Sequence, residues 1–151
     1  MTDELDAYTQ RLQDKLLEEA KALYSETVID HWMNPRNNGT LPHPDGHARI
    51  TGPCGDTMEF FLKIENRTIR QMSFLTDGCA TSIASASMAV ELATRETITD
   101  ALSIEQQTIL DALDGLPEES AHCALLASNT LKAAIRDHLS TAKQPWKRIY
   151  R

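Results

Sequence analysis

Long apolar runs and a basic leader are both missing from this 151-residue chain. The least polar stretch, Gly78 to Val90, consists largely of serine and alanine and is shorter than the roughly 18 residues that a membrane-spanning helix needs. Residues Met1 to Tyr8 are acidic, whereas export signals and organellar transit peptides begin with basic residues. We therefore expect a soluble cytoplasmic protein that does not associate with membranes.

Basic residues are outnumbered and cysteines are few. Fifteen lysines and arginines against 22 aspartates and glutamates give a net charge of −7, which repels phosphate backbones and argues against nucleic acid as a ligand. The chain has three cysteines, an odd number, and no Cys-x-x-Cys motif. A disulfide framework is therefore not expected. We predict reduced thiols that are free to bind a metal or to react.

The chain does contain metal-ligand side chains close to each of its cysteines. Thiolate, carboxylate and imidazole groups are the ligands that hold zinc and iron-sulfur units. Isolated cysteines are often small buried core residues, but the neighbouring acid and histidine favour one metal centre, with zinc and iron both open. Three segments supply the candidate ligands: Cys54 and Asp56 in Gly-Pro-Cys-Gly-Asp, Cys79 in Asp-Gly-Cys-Ala-Thr-Ser, and His122 and Cys123 in Ala-His-Cys-Ala.

Hydrophobic periodicity in the first half of the chain predicts helices followed by a sheet. Apolar residues at helical spacing from Leu5 to Trp32 predict one or two amphipathic helices, which Asn34-Pro35 ends. Alternating patterns then predict antiparallel strands at 47–51, 57–64 and 68–76, the last two joined by a short hairpin. Strands that are followed by a run of helices indicate the α+β class.

The second half of the chain is predicted to be helical. On this interpretation Cys79 and Cys123 both open helices, where unpaired amides and the helix dipole favour an anionic sulfur, so both thiols are expected to ionise readily. We expect a three-stranded antiparallel sheet packed against several helices, with an N-terminal and a C-terminal helix flanking it. The predicted helices lie at 80–94, 100–102, 105–113 and 122–139.

Four of these segments, in this order, resemble the NifU/IscU-type iron-sulfur cluster assembly scaffold family. Residues 30–37, Asp-His-Trp-Met-Asn-Pro-Arg-Asn, are similar to the family's Asp-His-x-x-Asn-Pro-Arg-Asn, and 54–56 to its first ligand segment. Residues 78–87 are similar to Gly-Cys-x-x-x-Ile-Ala-Ser-x-Ser, and 122–123 to the family's His-Cys pair. The resemblance covers most of 24–139.

The resemblance implies a function and a role for each candidate ligand. It implies that Cys54, Asp56, Cys79 and Cys123 surround the metal, with His122 as an alternative ligand. Cys123 would accept persulfide sulfur from a cysteine desulfurase, iron would be added, and a 2Fe-2S cluster would form and pass to apo iron-sulfur proteins, with Asp56 keeping it labile. It implies zinc as another occupant in the isolated protein, an electron donor and an Hsp70-type chaperone as further partners, and a scaffold rather than an enzyme.

One departure from the family and two alternative functions bear on this interpretation. Leu116-Pro117-Glu118-Glu119-Ser120 stands where IscU-type members have the chaperone-binding Leu-Pro-Pro-Val-Lys, which argues against chaperone recognition. A zinc-dependent sulfurtransferase resembling SufU is the alternative function, but that branch tends to have arginine at the place of His122 and an insertion after Cys79. A structural zinc module would need a closed ligand shell and no reactive thiol.

The domain organisation expected from the sequence is simple. A length of 151 residues fits one domain with a sizeable core, and we expect a single scaffold domain over 1–151. Within this domain, residues 1–23 form an N-terminal helical extension, and 140–151 form a basic tail that contains two aromatic residues.

Overall fold

The computed structural model describes residues 2–143, and within them the fold is the expected α+β arrangement. Two helices precede a three-stranded sheet, and four further helices follow it. None of these helices is long and apolar enough to cross a membrane. The helices are α1 (Thr2–Leu23), α2 (Glu26–Met33), α3 (Ala80–Ala93), α4 (Ile98–Ala101), α5 (Gln106–Ala112) and α6 (Ala121–Lys143), and the strands are β1 (Gly46–Thr51), β2 (Thr57–Glu65) and β3 (Thr68–Thr76).

The sheet is antiparallel, in the order β1-β2-β3, as the alternating patterns predict. Asn66 and Arg67 form the turn between β2 and β3 with φ values of 53° and 60°, the left-handed pair that a tight type I′ hairpin requires. Met58, Phe60 and Leu62 alternate along β2 and are all fully buried. One face of the sheet therefore forms the core, as predicted.

Helices α3 and α6 cover that face. Ten of the 14 residues of α3 are buried, and most of them are alanine or serine. Small side chains allow the helix to approach both the sheet and its neighbouring helices closely. Leu131 and Ile135 of α6 are fully buried and fill the space against β1 and β2. These two helices position the loops that carry the cysteines.

Helix α1 forms where the helical spacing predicts it, but it packs differently from the rest of the fold. None of its residues is buried, and Leu5, Tyr8 and Leu16 are each more than half exposed. Periodicity specifies which side of a helix is apolar, but packing requires a partner surface. Within residues 2–143, α1 contacts little besides α2.

Helix α2 is fixed at both ends. Ser25 caps it by accepting from the Val28 amide and donates its own hydroxyl hydrogen to the Leu113 carbonyl. The helix ends at Met33, as the following Asn-Pro predicts. His31, for which an ordinary packing or surface role was expected, is buried, with Nδ1 2.7 Å from the Ser87 hydroxyl. Helices α2 and α3 are thereby joined.

The C-terminal helix is longer than the sequence pattern indicates. It was expected to end near Leu139, but α6 continues to Lys143. Thr141 is buried and bonds to the Asp137 carbonyl within the helix. The first four residues of the expected basic tail are therefore helical, and its remainder, 144–151, lies outside the described residues.

Candidate metal centre

A five-residue connection between β1 and β2 carries Cys54 and Asp56. The Gly52 amide donates to the Asp56 carbonyl at 2.8 Å, and the Gly55 amide donates to the Gly52 carbonyl at 3.0 Å, so the loop closes on itself. Gly55 has a φ of 92°, a conformation that is costly for residues with a side chain. Cys54 is exposed and Asp56 is half-buried at the end of this tight loop.

Cys79 lies at the N-cap of α3, as expected. The preceding segment is braced against β2, because the Thr76 hydroxyl donates to the Thr57 carbonyl and Asp77 accepts from the Thr57 amide, both at 2.7 Å. Cys79 itself is exposed. The braced strand end thus presents this thiol at the positive end of a long helix.

His122 and Cys123 lie in the first turn of α6. A short 3-10 turn, Glu118–Ser120, leads into this helix. The Gln106 side chain donates to the Ala121 carbonyl at 3.0 Å and ties the start of α6 to α5. His122 is exposed, whereas Cys123 is only 1% exposed. The two adjacent residues thus differ in burial, although His122 Nε2 lies 3.7 Å from Cys123 Sγ.

The structure brings the five predicted ligand residues together as two overlapping triads. Donor atoms within each triad lie no more than 4.8 Å apart. Ligands around a tetrahedral zinc ion lie about 3.8 Å from one another when sulfur is bound at about 2.3 Å, so small side-chain movements suffice to bind an ion. Asp56 belongs to both triads, which are Cys54, Asp56 and His122, and Asp56, Cys79 and Cys123, and Cys123 is the buried member of the second triad.

Two buried hydroxyl groups lie among these donors, and the sequence analysis missed both. Thr81 Oγ1 lies 3.1 Å from Cys79 Sγ and 3.4 Å from Cys123 Sγ. Ser82 donates to Asp56 Oδ2 at 2.9 Å and lies 3.4 Å from Cys123 Sγ. Their position in the first turn after a helix-opening cysteine is the sequence signal that could have identified them.

The two thiols of the second triad ionise differently. Burial opposes ionisation of Cys79, but the Thr81 hydroxyl and the backbone amides of Thr81 and Ser82 outweigh it and lower the pKa of this thiol. Burial dominates at Cys123 and raises its pKa, although the same two hydroxyl groups partly compensate. The prediction that both thiols ionise readily is therefore right for Cys79 and wrong for Cys123, because the inward orientation of Cys123 removes it from water.

With this geometry established, sequence comparison identifies the family. The NifU-like N terminal domain matches residues 23–145, which include all five candidate ligands. The chain belongs to the NifU/IscU-type scaffold family. Most of α1 precedes the matched region, so the helix that packs least in this fold is also the element least shared with the family.

Individual relatives agree with this family assignment. An iron-sulfur cluster assembly scaffold protein IscU of Archaeoglobus fulgidus is 42% identical over 117 residues, which cover 77% of this chain and 76% of that protein. The IscU scaffold protein of Aquifex aeolicus is 40% identical over 119 residues, with the same coverage. The crystal structure of the N-terminal part of a nitrogen-fixing NifU-like protein from Brucella abortus superimposes with a TM-score of 0.61 at 19% identity, over 77% of this chain and 94% of that one. At this identity the last comparison shows a common fold.

Proposed function

We propose that this protein is a scaffold on which a 2Fe-2S cluster is assembled from iron and sulfur and then passed to apo-proteins. The observation that carries the proposal is the pair of overlapping triads, in which ligands from three separate segments share Asp56. The curated relatives at about 40% identity, which are named IscU scaffolds, support it. We propose that residues 1–151 form a single scaffold domain with a helical extension at 1–23.

The chemistry of the donor set suits a cluster that is held and then released. Three thiolates and one harder ligand supply two protein ligands to each iron. The same set also suits a tetrahedral zinc ion, so zinc is an expected occupant in the isolated protein. Asp56 is a weaker ligand for iron than a thiolate, and its place in both triads makes it the proposed labile ligand, with His122 as its alternative.

Sulfur is proposed to enter as persulfide from a cysteine desulfurase. The Cys123 thiolate attacks the outer sulfur of the desulfurase persulfide, the bond between the two sulfurs breaks, and the desulfurase cysteine leaves as a thiolate. Because Cys123 is buried, this step requires the Cys54–Asp56 loop or the start of α6 to move first. Conversion of the transferred sulfur to sulfide requires a pair of electrons, which an electron-donor protein would supply.

The other partners follow from the same proposal. Apo iron-sulfur proteins receive the cluster, and the expected location is the cytoplasm. An Hsp70-type chaperone is not expected to recognise the segment that precedes α6, because Glu118 and Glu119 form an exposed acidic turn there in place of the family's proline and apolar residue, and the family's lysine is absent. Nucleic acid is not an expected partner at a net charge of −7.

Anaerobic incubation with iron, cysteine and a cysteine desulfurase tests the proposal. We expect visible charge-transfer bands and the Mössbauer spectrum of a 2Fe-2S cluster, both lost in Cys54→Ala and in Cys79→Ala. Ser85→Ala is a matched control, since Ser85 lies inside α3 and its hydroxyl group has no hydrogen-bond partner within residues 2–143. If zinc stays bound unchanged and sulfur appears only as persulfide, the scaffold proposal fails and the SufU-like sulfurtransferase replaces it.

A further inference from the structure

Ser82 connects the two triads of the candidate centre. Its side chain is completely buried in the first turn of α3, and its hydroxyl group donates to Asp56 Oδ2 at 2.9 Å. The same oxygen lies 3.4 Å from Cys123 Sγ. A serine hydroxyl has a single hydrogen, which can go to Asp56 or to Cys123, and the shorter contact is the one to Asp56.

Gly78 shows how closely this contact is packed. A Cβ atom at Gly78 would lie 2.5 Å from the Ser82 hydroxyl oxygen and 3.0 Å from Asp56 Oδ2. A contact of 2.5 Å does not occur between such atoms and one of 3.0 Å is unusually tight, so a side chain at this position would displace the hydroxyl group and crowd the carboxylate. The absence of a side chain immediately before Cys79 therefore preserves the hydrogen bond between Ser82 and Asp56.

Another serine of the same helix shows that burial alone does not account for this bond. Ser85 is also completely buried in α3, but its hydroxyl group has no hydrogen-bond partner within residues 2–143. A serine is therefore accommodated in this helix without a partner, and the contact between Ser82 and Asp56 is specific to the position that faces the metal ligands.

We propose that Ser82 is a positioning residue that holds one oxygen of Asp56 and leaves only the other to bind the metal. A carboxylate that binds through one oxygen, while its other oxygen accepts a hydrogen bond, offers the metal less negative charge than one that binds through both, so it is displaced more easily. Ser82 thus sets how readily the centre releases its metal. This inference rests on the proposed function, in which Asp56 is the labile ligand.

Zinc release provides a test that does not depend on cluster assembly. The zinc forms of the wild type, Ser82→Ala, Asp56→Ala and the double variant are mixed with an excess of a chromogenic chelator, and the release rate is measured. Loss of a hydrogen bond to a charged group predicts release about ten- to a hundredfold slower in Ser82→Ala. In the Asp56→Ala background the same substitution should change nothing, and Ser85→Ala should match the wild type.

Two results would overturn the inference: a release rate in Ser82→Ala equal to that of the wild type, or the same change in both backgrounds. The second result would mean that Ser82 acts through the general stability of α3. Gly78→Ala tests the same contact if Ser82→Ala does not fold, and it should also slow release only when Asp56 is present. A wild type that releases zinc as expected but assembles no cluster would contradict the proposed function and leave the role of Ser82 intact.

Discussion

Cys79 and Cys123 both lie at the start of a helix and share a hydroxyl neighbour, but they differ in every property that decides reactivity. Cys79 is exposed and its pKa is lowered, mainly because hydrogen bonds outweigh partial burial. Cys123 is buried and its pKa is raised, because desolvation outweighs similar hydrogen bonds. A helix start favours a thiolate only where water still reaches the sulfur.

The largest expected effect concerns the residue that receives sulfur. Incubation with a desulfurase and cysteine should place a persulfide on Cys123 of the wild type and of Cys79→Ser, and none on Cys123→Ser. The reason is the proposed opening of the site by the desulfurase, which exposes the buried thiol. Mass spectrometry of alkylated peptides measures the persulfide on each cysteine. Persulfide on Cys79 in the Cys123→Ser protein would instead assign sulfur entry to the exposed thiolate.

Alkylation of the metal-free protein without a desulfurase should show the reverse preference. At neutral pH we expect iodoacetamide to modify Cys79 faster than Cys123 by a factor on the order of a hundred, since Cys123 needs both local opening and loss of a tightly held proton. With rising pH, the rate at Cys79 should level off below the pKa of an ordinary thiol, and the rate at Cys123 should still be increasing above it. Equal alkylation rates and equal pH midpoints for Cys79 and Cys123 would contradict the difference in their burial.

A smaller effect is expected from the hydroxyl group that both thiols share. Thr81→Val keeps the shape of the side chain but removes a hydrogen bond that lowers the pKa of Cys79. That pKa should rise, and alkylation of Cys79 near neutral pH should slow by about two- to tenfold. The rate at exposed Cys54 serves as the internal control. A Cys79 rate that does not change would show that the backbone amides alone stabilise the thiolate.

Much of the fold could be predicted, because its signals are local. Alternation along 57–64 and 68–76 identified β2 and β3 and the buried face that Phe60 and Phe74 share. Asn34-Pro35 marked the end of α2. Periodicity also identified α1, but it could not show that this helix has no buried residue in the structure of 2–143, since packing depends on surfaces that are distant in sequence.

The sequence could select the candidate ligands, but it could not predict which of them are buried. Ligand chemistry and spacing selected the five residues that the structure brings together. The burial of Cys123, next to exposed His122, depends on how α6 faces the core and cannot be derived from two adjacent letters. Thr81 and Ser82 lie in the first turn after a helix-opening cysteine, which is a sequence signal, but only their distances to sulfur and carboxylate show which groups they contact.

Transfer of the assembled cluster to an apo-ferredoxin is the most direct test of the scaffold claim. The loaded wild type and Asp56→Ala are mixed anaerobically with the apo-ferredoxin, and absorption of the separated proteins is followed in time. The account predicts that the wild type donates its cluster and that Asp56→Ala retains a longer-lived one. A wild type that never donates, or an Asp56→Ala protein that loses its cluster faster, would contradict it.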